Sequence, residues 1–399
     1  MEKINKSLIF ITLSRINSLE DRSIYSDLLK YFFNNGYDIT VVSSIERNYG
    51  INTRLRVLNN ITYLDVKTLN IQKSNIIEKG IGTILIQYNY ISAIKKYLST
   101  KSYDLILYTT PPITFFSVIK FLKNKYKSIC YLLLKDIFPQ NAVDLGIINY
   151  RCLLYYYFRN LEIKLYKISD HIGCMSQKNV DYILKQNKFL DNRKVEINPN
   201  SIAVQVSISK EKKKINQPLR LVYGGNLGKP QGIDYLICAI KACSDLKNIE
   251  FIIAGNGTED YIIKDWIKNE NPLNVLYFEM LPQDDYKVLL SNSDIGIICL
   301  DKKFTIPNYP SRILSYMENS MPVICLTDIN TDIGKDAEEN GYGFWCESDD
   351  VNRFRKIILR FQNNPEIIAQ MGKNANKYLQ DNFDVSNSFK IIHKHILYK

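Results

Sequence analysis

The sequence has few of the residues from which metal sites and disulfide scaffolds are built. It contains only three histidines, and its eight cysteines are scattered from Cys130 to Cys346 without a C-x-x-C pair. This pattern disfavours a zinc site or a disulfide framework, and it predicts reduced thiols in the cytoplasm. His171 directly precedes a short predicted strand, so we expect it to be packed in the structure and not to act as a base. We expect no metal ion.

Long uncharged apolar runs are also missing. No segment reaches the ~18 apolar residues of a membrane-spanning helix, and the N-terminal segment MEKINKSLIFITL has no cleavage site of the kind that follows a signal peptide. The composition, 46% hydrophobic and 23% charged, is that of an ordinary globular protein without low-complexity tracts. A length of 399 residues predicts two or three domains, each able to bury its own core.

Negative charge is scarce in the first half of the chain. Residues 1–200 contain 28 Lys and Arg against 16 Asp and Glu, whereas residues 201–399 contain 24 against 25. This asymmetry predicts that the first half faces a polyanion. Lysines and arginines alternate with aromatic and apolar residues over 115–127 and 153–159, which favours a non-spanning contact with an anionic membrane surface. Ordinary amphipathic helices with solvated lysines are the alternative.

Nucleic acid is a further class of polyanion that a basic half could bind. The sequence contains no helix-turn-helix, zinc-binding or RNA-recognition pattern. We therefore expect no nucleic-acid partner.

Strand-like and helical patterns alternate in both halves. Segments 7–13, 38–43 and 104–108 predict strands in the first half, and 219–223 and 250–253 restart the pattern in the second. This order predicts an α/β protein of two Rossmann-like, doubly wound domains. Ligands of such sheets bind outside the carboxyl ends of the strands, so we expect strand-end loops to line a cleft between the domains.

Two boundaries follow from the charge and apolar patterns. Segment 207–217 is charged and lacks a large apolar cluster, which predicts a linker. We expect one domain over residues 1–206 and another over 207–377. An amphipathic C-terminal helix, within about 378–399, is expected to pack back onto the first domain.

A glycine-rich turn follows the first strand of the second half. The stretch LRLVYGGNLGKPQGIDYLICAI places Gly225, Asn226, Gly228, Lys229 and Gln231 between a buried strand and a helix start. Glycines let the backbone approach a ligand, and a helix start offers unpaired N–H groups, so the turn suits a phosphate or diphosphate. Packing alone is the alternative. Neither the P-loop nor the G-x-G-x-x-G spacing is present.

Arg312 stands in the first turn of another predicted helix, after Pro310 and Ser311, which we expect to be its N-cap or a first-turn residue. The helix dipole disfavours a cation there unless an anion is bound nearby, and a guanidinium suits bidentate contacts to phosphate. An exposed surface arginine is the alternative. Asn256 and Gly257 form a further loop, after the next predicted strand of this half.

The first half has its own candidates at strand ends. Lys135 and Asp136 follow an apolar strand, where a carboxylate could accept a proton from a hydroxyl group. A turn or N-cap carboxylate is the alternative for Asp136. Arg22 and Ser23 place a cation and backbone N–H groups at a helix start, and Thr110 lies in a loop on the same edge.

These segments together resemble bacterial glycosyltransferases of family 4, which have the GT-B fold, and among them the branch of capsular, O-antigen and exopolysaccharide assembly. The matching stretches lie between residues 8 and 350 and are DRSIYSDLLKYF, NNGYDITVVSSIER, LYTTPPITF, LLKDIFPQNAVDLG, SDHIGCMSQKNVDYI, INPNSI, YGGNLGKPQG and FTIPNYPSRILSYMENSMPVI. The resemblance implies metal-independent sugar transfer from a nucleotide diphosphate, with retention at the anomeric carbon. It also implies an acceptor that is commonly a polyprenyl-diphosphate-linked saccharide at the inner membrane face.

The resemblance sorts the candidates by role. The first domain would bind the acceptor and the second the donor, with no cofactor beyond the nucleotide sugar. Asp136 and Arg312 are the catalytic candidates, and Arg22, Ser23, Thr110 and Lys135 lie on the acceptor or diphosphate side. The donor-binding candidates are Gly225, Asn226, Gly228, Lys229, Gln231, Asn256, Gly257, Pro310, Ser311 and Ser315.

The sequence departs from the family at several positions. Pro307 and Ser315 stand where the family has paired glutamates, and Asn226 and Gln231 stand where its glycine loop has an arginine and a lysine. None of the three histidines matches the family's histidine near the sugar. Arg312, with Lys229, is then the candidate for balancing the diphosphate charge. A nucleotide-sugar epimerase of the same fold is the alternative enzyme, although the shortage of histidines and glutamates disfavours it.

Overall fold

The computed structural model describes residues 6–70, 76–205 and 217–397. The chain divides into unit 1, Met1–Ala203 with Val385–Lys399, and unit 2, Val204–Asp384. The predicted linker 207–217 lies, except for Gln217, outside the described residues. The returning C-terminal segment begins at Val385 and not near 378, because Tyr378 still packs in unit 2 against Tyr342 and Phe383.

Unit 1 is built on an eight-stranded sheet of order β3-β4-β2-β1-β5-β6-β7-β8. All neighbours are parallel except the antiparallel pair β3–β4. The order reverses between β1 and β5, which creates a switch point at the carboxyl ends of these two strands. The strands are β1 (Lys6–Ile11), β2 (Tyr37–Glu46), β3 (Arg54–Leu58), β4 (Ile61–Thr68), β5 (Leu105–Thr109), β6 (Ile129–Leu134), β7 (His171–Cys174) and β8 (Val195–Ile197).

Helices connect the parallel strands of unit 1. They are α1 (Ile24–Asn34), α2 (Ile76–Tyr97), α3 (Phe116–Tyr126), α4 (Gln140–Asp144), α5 (Leu153–Ile168) and α6 (Gln177–Gln186). Ser23 caps α1 and Ser176 caps α6, each accepting a hydrogen bond from a backbone N–H of the first turn. Strands covered by helices on both faces are apolar at nearly every position, as in β6, whose residues are all buried.

Unit 2 carries a six-stranded, wholly parallel sheet of order β11-β10-β9-β12-β13-β14. Counted along the unit, this is the Rossmann order 3-2-1-4-5-6, with its switch point between β9 and β12. The strands are β9 (Leu219–Gly224), β10 (Ile249–Ala254), β11 (Val275–Phe278), β12 (Ile295–Cys299), β13 (Val323–Thr327) and β14 (Gly343–Glu347). The helices are α7 (Ile233–Lys241), α8 (Asp260–Glu270), α9 (Gln283–Ser291), α10 (Arg312–Glu318), α11 (Ile333–Glu339), α12 (Val351–Asn363) and α13 (Glu366–Phe383).

The predicted α/β class and its two doubly wound sheets are confirmed. The β3–β4 hairpin and α2 were not predicted, because no strand or helix was assigned between segments 38–43 and 104–108. Over the described residues, no helix is both long enough and apolar enough to cross a bilayer.

The last helix, α14 (Val385–Leu397), belongs to unit 1 and packs on α1 and β6. The Val385 N–H donates to the carbonyl of Ile202 (2.9 Å). Phe389 packs against Phe32 and Tyr37, with ring centroids 4.8 and 6.3 Å away. An apolar stripe therefore fixes this helix against the sheet-side face of α1.

All three histidines of the chain lie where α14 packs on the rest of unit 1. His393 Nδ1 and the Tyr37 hydroxyl share a hydrogen bond of 2.6 Å. The His395 ring stacks on His171 with 3.5 Å between centroids, and His395 Nε2 lies 2.8 Å from a carboxylate oxygen of Glu196. His171 is thus packed as expected, and its Nδ1 is buried without a hydrogen-bond partner.

This packing makes the charge of His171 unfavourable. Burial, and secondarily the neighbouring His395, lowers the pKa of His171 to about 4, although Glu196 and Asp170 oppose the shift. Lys194 acts in the same direction as His395. A histidine whose pKa falls on folding stabilises the native state while it is neutral, so its contribution is complete above ~6.5 and is lost as the pH falls toward 4.

We expect acid to weaken the native state partly through this residue. Thermal unfolding of the wild type should shift to lower temperature between pH 7 and pH 4, and the flat, uncharged ring of His171→Phe should reduce that shift. Unfolding temperatures of both proteins across this range measure the difference. Parallel curves for the two proteins would show that His171 does not contribute to the acid sensitivity.

Candidate active site

Two strand-end loops of unit 2, those after β9 and β10, contact each other through their backbones. The loop after β9 gives the Gly225 N–H to Ala254 O and the Leu227 N–H to Asn256 O, both at 2.8 Å. A side chain at Gly255 would overlap the carbonyl of Gly225, and one at Gly257 would overlap that of Leu227. Glycine is needed here because the two backbones are in direct contact.

This contact changes what the glycine loop can offer a ligand. The N–H groups of Gly225 and Leu227 already donate to the neighbouring loop. They are therefore not available to a ligand, although Gly225 was predicted to bind one. The N–H groups of Asn226 and Gly228 make no backbone hydrogen bond within the described part of the chain. The Lys229 N–H makes no such bond either, so these three amides are the donors that the loop retains; Asn226 and Lys229 are exposed and Gly228 is buried.

Arg312 lies against this loop. Its guanidinium carbon is 4.4 Å from the ring centroid of Tyr223, and its Nη2 donates to Oε1 of Gln231. A Cβ placed on Gly225, whose φ is +125°, would be 3.6 Å from the same guanidinium carbon. The structure thus brings Arg312 to Gly225 and Gln231, which belong to one loop far earlier in the sequence.

The partners of Arg312 are all neutral. Its Nη1 is buried and has no hydrogen-bond partner, and among the described residues no carboxylate forms an ion pair with it. A buried guanidinium that lacks a counter-charge is costly to desolvate. Its planar fork matches phosphate oxygens in pairs. The arrangement is therefore suited to bind an anion at the carboxyl end of β9.

Two tyrosines, Tyr316 and Tyr286, approach Gly224 at the end of β9. The Gly224 N–H donates to the Tyr316 hydroxyl (2.9 Å), and the Tyr286 hydroxyl lies where a side chain at Gly224 would be. Burial raises the pKa of Tyr286, while the Ser315 hydroxyl and the Arg312 charge oppose the rise. Tyr286 was missed from the sequence because α9 approaches β9 only in the folded sheet.

The start of α10 differs from the prediction. Ser311 is the N-cap residue, but its side chain makes no capping hydrogen bond, because its backbone is already helical (φ −65°, ψ −15°). The carbonyl of Pro310 accepts the Ile313 N–H (3.3 Å), so that amide is also in use. The Ser315 hydroxyl donates to the carbonyl of Arg312 (2.8 Å).

Two other donor candidates lie at the edge of this cluster. Lys229 is exposed in the short turn Lys229–Gln231 and shares no partner with Arg312 in the described structure. The Asn256 amide nitrogen lies 3.7 Å from the sulfur of Met280, which is itself 73% exposed. Both side chains border the loops without contacting the guanidinium.

In unit 1, Thr110, Lys135 and Asp136 form a second cluster at the ends of β5 and β6. The Thr110 hydroxyl accepts the Lys135 N–H (3.2 Å) and donates to the Asp136 carbonyl (3.3 Å). The Asn141 amide nitrogen lies 2.7 Å from each Asp136 carboxylate oxygen. Burial raises the pKa of Asp136 to about 6, although the Ile137 N–H and Asn141 oppose the rise.

The Lys135 ammonium points elsewhere. It lies 3.5 Å from the Met175 sulfur, and burial lowers its pKa to about 7. A small cavity beside it is also lined by Asn200, whose Oδ1 is buried without a partner. Asn200 was quoted in the INPNSI match but not proposed for the site, because an isolated Asn-Pro-Asn turn carries no ligand signal.

Arg22 and Ser23 have structural partners. Ser23 Oγ accepts the Ser26 N–H (3.1 Å) as the cap of α1, and Arg22 Nη2 donates to the carbonyl of Ala203 (2.8 Å). Arg22 also lies 3.7 Å from the Asp27 carboxylate. Their predicted role toward the acceptor or diphosphate stays a prediction.

Groups of three or more His, Cys, Asp or Glu side chains that could hold a metal ion are not found in the described ranges.

A family model and a probable glycosyltransferase match the sequence of this chain. Residues 205–378 match the family model described as Glycosyl transferases group 1. A probable glycosyltransferase of Pseudomonas aeruginosa, WbjE, is 21% identical over 298 residues, which are 72% of each chain. The family model and this relative identify the chain as a glycosyltransferase.

Solved structures share the fold over nearly the whole chain. Sucrose-phosphate synthase from Thermosynechococcus elongatus is 12% identical, with a TM-score of 0.75 and coverage of 99% of this chain and 100% of the other. Anabaena HepE, solved in complex with UDP-glucose, is 14% identical, with a TM-score of 0.68 and coverage of 99% and 100%. The chain has the GT-B fold.

We expect Gly257→Ala to disrupt the contact between the two loops. The added methyl would overlap the Leu227 carbonyl, so the loops must separate, at a cost of about 1–3 kcal/mol in the free energy of unfolding. Gly228→Ala is the matched control, since its methyl would meet only the movable Asn226 side chain. Urea unfolding of both variants measures the difference, and equal stabilities would contradict the close packing of the loops.

Proposed function

We propose that this GT-B glycosyltransferase moves a sugar from a nucleotide-diphosphate donor to a lipid-linked saccharide, with retention and without a metal ion, in the assembly of a surface polysaccharide. The observation that carries the donor half is the partly buried Arg312 guanidinium, whose Nη1 is buried and which has only neutral partners in the described chain and lies against the glycine loop. UDP-glucose in the related HepE structure supports a nucleotide sugar as the ligand.

The reaction places charge on the leaving group. The bond between the anomeric carbon and the diphosphate oxygen breaks, and the nucleoside diphosphate leaves with the electron pair. Arg312 and the N–H groups of Asn226 and Gly228 would stabilise this charge without reorganising, because sheet and loops already hold them in place. Lys229, exposed at the rim of the loop, would add a cation that moves to the phosphates.

The new bond forms between the anomeric carbon and an acceptor oxygen, whose proton must be removed. Asp136 is the candidate base, because its raised pKa gives a carboxylate that binds protons near neutral pH. Asn141 holds both carboxylate oxygens, which fixes their direction. Thr110 and Lys135 position the strand end that carries Asp136.

The lipid-linked acceptor, the polysaccharide role and the capsular branch of family 4 rest on the motif resemblance and on the net positive charge of unit 1. Sucrose-phosphate synthase, among the solved relatives, is named for a sugar phosphate. A sugar-phosphate acceptor is therefore the second candidate. Purified enzyme offered a radiolabelled nucleotide sugar with either acceptor would distinguish them, and incubation without any acceptor would reveal an epimerase.

We expect Arg312→Ala to lose the nucleoside-diphosphate-induced rise in unfolding temperature, and to reduce turnover by ~100- to 1,000-fold. Arg312→Lys should recover part of both, because it keeps the charge but not the fork. Without ligand the alanine variant should be as stable as the wild type or more so, since it removes an unpaired, partly buried cation.

Arg220→Ala is the control for this experiment. Arg220 stands at the other end of β9 and pairs with Glu250 (2.7 Å), far from the loop that follows the strand. It should keep the ligand-induced shift. Wild-type turnover and an unchanged shift in Arg312→Ala would refute the assignment of the donor site.

If Asp136 removes the acceptor proton, kcat/KM of the wild type should rise with pH through about 6, where the carboxylate forms. Asp136→Asn should lower kcat/KM by ~100-fold or more and lose this rise. The pH–rate profiles of both proteins decide it, and an unchanged rise in Asp136→Asn would assign the base to another group.

A further inference from the structure

Helix α5 has an exposed face of unusual composition. Its residues Leu153, Tyr156, Tyr157, Lys164 and Lys167 are all exposed. At 100° per residue they lie within one narrow stripe along the helix, together with exposed Asn160. The opposite face, with Glu162, Leu165 and Tyr166, is buried.

The stripe changes character from one end of the helix to the other. Its first turns are apolar and aromatic, with Leu153 88% exposed and Tyr156 58% exposed. The loop that leads into the helix adds exposed Ile147 (65%) and Tyr150 (52%). An exposed cluster of large apolar residues marks an interaction site more often than an isolated one does. We call these residues, within 147–157, the apolar tip.

The last turns of α5 border a lysine groove. Helices α3 and α5 enclose it, and its lining residues are Phe116, Lys120, Lys123, Asn124, Lys127, Lys164, Lys167 and Ile168. The ammonium groups of Lys120 and Lys164 lie 5.9 and 6.0 Å from the ring centroid of the same Phe116. Two cations therefore flank one aromatic ring on the floor of the groove.

One lysine of the groove, Lys123, is paired with a nearby carboxylate, and three others are not paired with any described carboxylate. Glu162 pairs with Arg159 (2.6 Å), and Asp170 pairs with Lys123 (2.7 Å). Lys120, Lys164 and Lys167 have no carboxylate partner within the described ranges. Like charges held together without counter-charges favour an anionic ligand.

We propose that the apolar tip and the lysine groove form one docking surface for an anionic lipid bilayer. The tip inserts among the head groups and upper acyl chains, and the lysines contact the lipid phosphates. An apolar end continuous with a basic end is the pattern that an interfacial helix requires. The proposal deepens the proposed function, because a lipid-linked acceptor is presented at such a surface.

The apolar tip and the lysine groove together favour a bilayer over other partners. Nucleic acid would use the lysines but leave the exposed leucines and tyrosines of the tip without a partner. A protein partner would use the tip, but the unpaired lysines would require a matching acidic patch. A bilayer with anionic head groups satisfies both ends at once.

The test is sedimentation of the full chain with vesicles of phosphatidylcholine, with or without phosphatidylglycerol. We expect binding to the anionic vesicles and little to the neutral ones. Lys164→Gln with Lys167→Gln should weaken partitioning roughly 30-fold, by about the contribution of two lysines at an anionic surface. Leu153→Ser with Tyr157→Ser should weaken it by about tenfold or more, through the loss of buried apolar area.

Matched variants on unit 2 serve as controls. Lys373→Gln with Lys377→Gln removes the same charge from exposed positions of α13, and Tyr261→Ser with Leu273→Ser removes the same side-chain types from exposed positions. Both should bind vesicles as the wild type does. Equal binding by the charge variant and its control, or by the tip variant and its control, would overturn the proposal, as would release of the vesicle-bound chain by duplex DNA.

The outcome is independent of the donor site. A nucleoside-diphosphate-induced rise in unfolding temperature, measured on the same preparations, should be equal in all of these variants. A variant that loses vesicle binding but keeps this rise is altered only at the docking surface. Absence of the rise in the wild type, with vesicle binding intact, would refute the sugar-nucleotide proposal and leave the docking surface standing.

Discussion

The structure of the candidate donor site depends on one partly buried cation. Arg312 is held between the ring of Tyr223 and the backbone of Gly225, with Gln231 as its hydrogen-bond partner. Each of these partners is neutral, so the folded chain holds a partly buried guanidinium without balancing its charge. A protein that needed the arginine only for packing would gain from a carboxylate beside it. The missing counter-charge is the property that an anionic ligand would supply.

The sheet makes this position possible. In the order 3-2-1-4-5-6 the chain passes from β9 to β10 on one side and from β12 to β13 on the other. These opposite connections leave a gap between the carboxyl ends of β9 and β12. The loop after β9 and the start of α10 therefore reach the same place from opposite sides. Backbone contact between the β9 and β10 loops then fixes the glycine turn, which limits how far the Arg312 surroundings can relax.

Sequence reasoning located the local part of this site and missed the part that folding assembles. Parallel strands read as continuous apolar runs, so β9 and β10 were predicted within a residue of their ends. Gly225 and Arg312 were found because a glycine turn and a first-turn arginine are local signals. Tyr286 carries no local signal, because its contact with Gly224 exists only once α9 returns to the sheet.

The errors at the two helix starts have a common physical cause. The glycine turn was expected to offer N–H groups to a ligand, yet Gly225 and Leu227 give theirs to the neighbouring loop. Ser311 was expected to be the N-cap or a first-turn residue of α10, and it stands there, yet its side chain makes no capping hydrogen bond because its backbone is already helical. In both places a hydrogen bond or a dihedral angle depends on a partner that the local sequence does not contain. Sequence patterns identified which residues gather at this sheet edge, and tertiary contacts decided which of their polar groups remain for a ligand.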